Sequence, residues 1–284
     1  IWQTVWLEAV PLTSIESLHI QPDVDGKKLK VKVVTLGPDK VKVKVSVPSL
    51  GIEGEGAPGD TIELALKNFE LWSPAHPKLY DLEVELLSGA KAVDRVESYF
   101  GMRKISLGPD QNGIPRILLN GEPLFQFGPL DQGWWPDGLY TAPSDEALRY
   151  DLEVTKKLGF NMVRKHVKVE PLRWYYHCDR MGLLVWQDMP NGGTNARWPL
   201  DGTELRRAEK EKVQFDRELD ALIDSHRNQV SIVAWVPFNE AWGQFDSARV
   251  TRHIEEKDPG RLVISASGGN DFGIGHVHDI HQYP

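Results

Sequence analysis

The side chains of this chain best suited to moving protons and gripping a polar ligand fall in a repeating position. They come in or directly after short apolar runs. Asp131, Gln132, Trp134 and Trp135 follow the run 124–127, Arg164 and His166 close 162–166, and Gln187 and Asp188 close 183–187. Asn239 and Glu240 follow 232–236, and His278, His281 and Tyr283 lie in or just after 277–281. Carboxyl groups can give a proton to a departing oxygen or take one from water, and flat indole rings suit the C–H faces of a pyranose. An Arg and several His residues beside them would orient those carboxyls.

For such residues to meet, the apolar runs must be parallel strands, because parallel topology brings successive strand ends to one rim. From residue 108 onward the pattern supports this. Strands are expected at 124–127, 162–166, 183–187, 232–236, 262–265 and 277–281, alternating with helices at about 144–158, 171–181, 204–228 and 245–257. Periodicity alone leaves a doubly wound sheet and a (β/α)₈ barrel both open. No glycine fingerprint opens the first helix, which weighs against a nucleotide-binding doubly wound domain.

Before residue 108 the period is two. Leu29, Val31 and Val33 alternate with Lys28, Lys30 and Lys32, and Val41, Val43, Val45 and Val47 alternate with Lys40, Lys42, Lys44 and Ser46. With Gly37-Pro38-Asp39 between them, the two runs are expected to pair as an antiparallel hairpin. Further strands at 61–66, 79–87 and 93–107 suit a sandwich of roughly seven strands, its lysine rows forming a solvated face.

The whole chain of 284 residues, 40% apolar and 26% charged with ten Trp, has the make-up of about two globular domains. Its net charge of -8 repels phosphate backbones and anionic bilayers, so neither nucleic acid nor membrane is expected as a partner. No apolar run approaches the ~20 residues of a membrane span. Cys178 is the single cysteine, which removes intrachain disulfides and thiolate metal clusters and leaves the compartment undetermined. Ile1-Trp-Gln-Thr-Val-Trp-Leu-Glu8 reads as a strand without an initiator Met, as though cut from a longer protein.

The sharpest pattern is Ser231-Ile-Val-Ala-Trp-Val-Pro-Phe-Asn-Glu240, followed by Ala241-Trp242-Gly243. With Arg227-Asn-Gln ahead of it, this segment resembles the acid/base signature of glycoside hydrolase family 2, the family of β-galactosidases, β-glucuronidases and β-mannosidases. Residues 1–8 are similar to the last strand of that family's sugar-binding domain. Tyr99-Phe-Gly-Met-Arg103 resembles its exit from the immunoglobulin-like domain, and Gly159-Phe-Asn-Met-Val-Arg164 its second barrel strand. The ordered set spans nearly all of the chain.

The resemblance implies a multidomain β plus α/β protein. Residues 1–11 would end a jelly-roll domain, 12–107 would form an immunoglobulin-like β-sandwich, and 108–284 would begin a catalytic TIM barrel truncated after about six strands. It further implies a retaining exo-β-glycosidase acting on a carbohydrate substrate without a cofactor, with a non-catalytic carbohydrate-binding protein on the same scaffold as the alternative.

Carried over by motif, Glu240 is the expected general acid/base, its carboxyl raised by desolvation among Trp235 and Trp242. Asn239 would bond the sugar 2-hydroxyl, or cap the strand end. Arg164 would hold the catalytic carboxylates, or form a purely structural pair. His166 matches a substrate-contacting His, although Arg-Lys-His-Val-Lys departs from the usual Arg-x-Ser-His-Tyr-Pro. Trp186-Gln187-Asp188 resembles the β-mannosidase branch, which gives Asp188 either sugar hydroxyls or a fold-supporting role. Asp131, Trp134 and Trp135 would line a subsite or pack a loop, and Tyr283 would reach substrate. Arg164, Asp188, Asn239 and Glu240 are expected around one cleft. No metal site is expected, since the spacing of His276, His278 and His281 with Asp279 matches no familiar ligand set. The nucleophile is expected to be a Glu beyond residue 284, so that the chain alone would be inactive, and its open barrel edges would pair with more of the protein or with another copy.

Overall fold

In the computed structural model, which describes residues 5–193 and 201–283, the chain divides into two compact units. One takes residues 5–104 together with 227–230, and the other takes the rest of the described residues.

Seven strands build the first unit: β1 (Ser14–Asp23), β2 (Lys28–Leu36), β3 (Lys42–Val47), β4 (Ile52–Gly56), β5 (Thr61–Ala65), β6 (Tyr80–Ser88) and β7 (Lys91–Phe100). They form two antiparallel sheets, ordered β1-β2-β5 and β4-β3-β6-β7. The expected hairpin between the first two Val/Lys runs does not form, because β2 and β3 belong to different sheets. The chain crosses between layers at residues 37–41, where Gly37 adopts a φ of 104°. The physical gain is that Val31 and Val33 pack with Val43, Val45 and Val47 in one closed core between the layers. The outward lysines find acids, Lys28 on Glu63 at 2.9 Å and Lys44 on Glu53 at 2.7 Å. Residues 5–11, expected to continue a strand, carry none and are exposed. The run 93–107 is not one strand either: it breaks after Phe100, and Ile105 begins the second unit.

The second unit opens with a small antiparallel sheet, β8 (Ile105–Pro109), β9 (Pro115–Leu119) and β10 (Glu122–Pro123). There follow β11 (Leu130–Asp131), α1 (Asp145–Lys157), β12 (Met162–Lys165), α2 (Leu172–Met181), β13 (Leu184–Asp188), α3 (Glu209–His226), β14 (Ile232–Val236), α4 (Ser247–Lys257) and β15 (Leu262–Val263). The sheet β11-β12-β13-β14-β15 is wholly parallel and keeps chain order. A doubly wound sheet reverses its order at a switch point, whereas a barrel never does. The sheet is part of a (β/α)₈ barrel.

Among the described residues five parallel strands form where six were expected. The first sits later than 124–127, because Gly128-Pro129 interrupts the ladder and proline has no N–H to give. The lead-in still runs beside β12, with Phe127 N–H donating to Asn161 Oδ1 at 2.9 Å and Arg164 N–H to the Pro129 carbonyl at 3.0 Å. Gly128 is required there: a Cβ would lie 1.8 Å from the Met162 carbonyl oxygen. No strand forms at 277–281. The chain instead turns back through Gly273 and Gly275, at φ of 65° and 80°, and Gly275 makes an antiparallel bridge with Ile264.

Ser144 caps α1 by accepting the Ala147 N–H, with Asp145 and Glu146 in the first turn and Lys156 and Lys157 in the last. The helix expected over 204–228 starts only at Glu209, because Leu205 N–H donates to the Gln244 carbonyl. Val163, Val185, Ile232, Trp235 and Val263 face Trp174, Phe215, Leu219, Val250 and Ile254 of the helices in one core. The alternation of a strand therefore turns Arg164 the other way.

Candidate active site

Arg164 occupies β12 one residue after the core-facing Val163, and its guanidinium meets the end of the neighbouring strand β13. Nε donates to Asp188 Oδ1 at 3.0 Å and Nη2 to Asp188 Oδ2 at 2.9 Å, a two-point pair buried from water. Nη2 also donates to Asn239 Oδ1 at 2.9 Å, which ties in the segment leaving β14. The Val167 N–H adds a bond to Asp188 Oδ2 at 3.2 Å. Burial pushes the Asp188 carboxyl up, and the Arg164 charge and hydrogen bonds pull against it.

Past β14 the chain stays extended. Asn239 bridges Ser267 in parallel, and the Glu240 N–H donates to the Ser267 carbonyl at 2.8 Å. Glu240 and Ala241 then take left-handed conformations, at φ of 48° and 60°. For residues with a Cβ this costs about 1–2 kcal/mol each. Such strain gathers where a side chain must be aimed.

The Glu240 side chain is 30% exposed. Its Oε1 accepts from Tyr283 Oη and from His281 Nδ1, the latter at 2.9 Å. Burial pushes the carboxyl up, but the Tyr283 and His281 hydrogen bonds and the His281 charge outweigh it, and its pKa lies below the ordinary value. This corrects the expectation of a raised carboxyl. Trp235, expected to desolvate Glu240, lies in the helix-side core and donates Nε1–H to Asp258 at 2.9 Å, while Trp242 is half exposed. The Glu240 bond raises the Tyr283 phenol in turn.

His166 stands at the end of β12 with Nδ1 3.0 Å from Gln132 Nε2. Burial lowers its pKa below the ordinary imidazole value, against the pull of Asp188. Asp131 is the last residue of β11 rather than part of the loop beyond it. Its carboxylate accepts from Lys165 Nζ at 2.6 Å and from Gly133 N–H at 2.7 Å, so its partners differ from those of Arg164. Trp134 is exposed and packs edge-on against Tyr140. The expected residues thus divide: Arg164, Asp188 and Asn239 are linked through hydrogen bonds, and Glu240, the next residue after Asn239, is bonded to His281 and Tyr283, while Asp131 and Trp134 hold to other partners.

His281 was placed from sequence among the strand-end residues, but Ser267 and Asp279 were not tied to it. Ser267 Oγ donates to Asp279, and His281 Nε2 lies 2.8 Å from Ser267 Oγ. One signal was available, because Asp279, His281 and Tyr283 alternate, and an extended chain puts alternate residues on one side. The three histidines near the end point to separate partners: His278 to Asp271, His276 Nδ1 to the Val263 N–H and His281 to Glu240. Among the described residues no three His, Cys, Asp or Glu side chains group to hold a metal ion.

A family model described as glycosyl hydrolases family 2 matches residues 13–103, and one described as the TIM barrel domain of that family matches 140–280. The β-galactosidase of Oenococcus oeni is 28% identical over 300 residues, covering 96% of this chain and 28% of that protein. The β-glucuronidase of Parabacteroides merdae superposes with a TM-score of 0.72 at 22% identity, over 89% of this chain and 33% of that one. A β-glycosidase from Bacteroides vulgatus gives 0.72 at 24%, over 90% and 34%. The chain therefore spans about a third or less of the length of these three proteins.

Proposed function

The chain belongs to glycosyl hydrolase family 2, and from that premise we propose that it carries the acid/base half of a retaining exo-β-glycosidase. Residues 12–107 serve as a supporting sandwich, and 108–284 as the first part of the catalytic barrel. The observation that supports this reading is the linked set at the strand ends: Arg164 binds Asp188 and Asn239, and the next residue, Glu240, is anchored at Oε1. Among the described residues nothing bonds Oε2.

In this reading Glu240 gives its proton to the glycosidic oxygen through Oε2 and later takes one from water. A bound sugar would displace solvent, adding to the burial that already pushes the carboxyl up. The acid becomes competent when the site is filled. Asn239, steadied by Arg164, offers its amide to a sugar hydroxyl. Asp188 is occupied on both oxygens by Arg164 and serves the site by neutralising that cation. The second carboxylate of the retaining reaction, about 5–5.5 Å from the first, is on this reading a Glu outside these 284 residues.

The test is leaving-group dependence in the intact protein. Glu240→Gln should slow glycosylation on poorly activated aryl β-glycosides by about 100- to 10,000-fold and spare activated ones, because protonation matters only where the leaving group is poor. Equal loss on both classes would remove Glu240 from the role of acid.

A further inference from the structure

His281 is held on both sides by hydrogen bonds whose donors can be assigned in order. An ionised Asp279 only accepts, so its contact with Ser267 requires the serine hydroxyl proton. The Ser267 oxygen is then left to accept, and the atom facing it at 2.8 Å is His281 Nε2, which must carry a hydrogen. On the other edge of the ring, Nδ1 lies 2.9 Å from Glu240 Oε1.

From this order we infer that Asp279, Ser267 and His281 form a relay of positioning residues, which fixes the hydrogen on His281 Nε2, turns Nδ1 to Glu240 Oε1 and so leaves Oε2 as the oxygen that exchanges protons with the substrate. The inference rests on the reading of Glu240 as the acid/base.

The ring faces two acids, Glu240 at 2.9 Å and Asp279 at 4.0 Å. It also faces one cation, with Arg164 Nη1 at 3.4 Å from Nε2; with a hydrogen on Nε2 both atoms are donors, so the contact is not a hydrogen bond. The Arg164 charge is offset by Asp188, and Tyr283 Oη adds a second donor to Oε1. The ring has its place because of Gly268, where a Cβ would fall 2.2 Å from His281 Cγ at a backbone φ of 59°. Gly268 is thus a close-approach site set by the imidazole.

The experiment is ¹⁵N NMR of the intact protein labelled in histidine, with the His281 signals assigned by their loss in His281→Asn. The expected result is a hydrogen on Nε2 in the parent protein. In Ser267→Ala and Asp279→Asn the hydrogen should no longer be fixed on Nε2. In Glu240→Gln, Nδ1 should accept from the new amide while Nε2 keeps its hydrogen. An unprotonated Nε2 in the parent protein, or an unchanged ring in Ser267→Ala, would overturn the relay.

Kinetics supply a second readout. His281→Ala should lower kcat on poorly activated glycosides by about ten-fold. It should also move the alkaline limb upward, since the donor that favours the carboxylate is gone. His281→Asn, whose amide nitrogen stands near the place of Nδ1, should restore most of both. Gly268→Ala, which displaces the ring while leaving the relay's three side chains chemically intact, should resemble His281→Ala. An unmoved alkaline limb in His281→Ala would sink the inference. Normal glycosidase kinetics with an unprotonated Nε2 would reject the relay alone, whereas the expected nitrogen signals without glycosidase activity would reject only the glycosidase reading.

Discussion

Two neighbouring residues of β12 begin two charged clusters that differ in every way except their ingredients. Arg164 turns to Asp188 and Asn239, in a set that reaches a partly exposed carboxylate, Glu240, on a left-handed backbone. Lys165 turns to the helix side. Its Nζ meets Asp131 at 2.6 Å and Glu170 at 2.9 Å, and lies 4.3 Å from the centre of the Trp174 ring. Lys168 joins there, 2.9 Å from the same Glu170 oxygen and 2.6 Å from the Gly133 carbonyl. Lys165, Lys168 and Glu170 are all buried. Burial and ion pairing therefore do not mark a reacting site by themselves. The difference is that the Lys165 cluster spends its charges on one another, and the Arg164 cluster ends in a carboxyl oxygen that nothing else described in the chain occupies.

The largest separation between the clusters should come from paired substitutions. Glu240→Gln should lower turnover on poorly activated glycosides about 1,000-fold while changing folding stability by less than about 0.5 kcal/mol. Glu170→Leu should do the reverse, costing about 3–5 kcal/mol because two buried ammonium groups lose their shared acceptor. Denaturant unfolding beside activity per folded molecule tests both, and a Glu170 variant of normal stability and low activity would show the comparison to be wrong.

Next in size is a pH effect confined to the barrel unit. Burial lowers the His226 pKa to about 4. Its unfolded value is about 6.5, so the unfolded chain takes up the proton first, and stability falls as pH drops from about 6.5 to about 4. The loss should amount to about 3 kcal/mol and then level off. A His226→Phe variant whose stability curve keeps the same slope in that window would contradict this.

The smallest effect belongs to Asp145, held at about 2 by hydrogen bonds from Arg173 and His177. A lowered carboxyl stabilises above its unfolded value and loses that contribution as pH falls through about 2. The side chain is 40% exposed, so solvent screening keeps the effect under about 1 kcal/mol. Asp145→Asn should shift only the most acidic part of an unfolding curve.

Much of the barrel unit was legible because its signals are local. Ile232–Val236 is a continuous apolar run with both faces covered, and the structure has a strand over those same residues. The helix expected at about 144–158 forms as α1 over Asp145–Lys157. Residues 124–127 misled because aromatic β-formers stand there, while the missing proline N–H two residues later decides where the ladder begins. The Val/Lys runs misled in another way: alternation says which face of a strand is buried, and is silent about which sheet the strand joins.

What the sequence by itself determined is the kind of residue at each strand end and the parallel grammar that gathers those ends, since periodicity and turn chemistry act within a few residues. Only the tertiary structure decided which partners each charge would take. Arg164 and Lys165 are adjacent in sequence and opposite in space. Asp131 went to the lysine, Asp188 to the arginine, and His281 crossed 41 positions to reach Glu240. Hydrogen bonds and ion pairs form over about 3 Å between atoms brought together by packing, and no pattern of neighbours along the chain carries that distance.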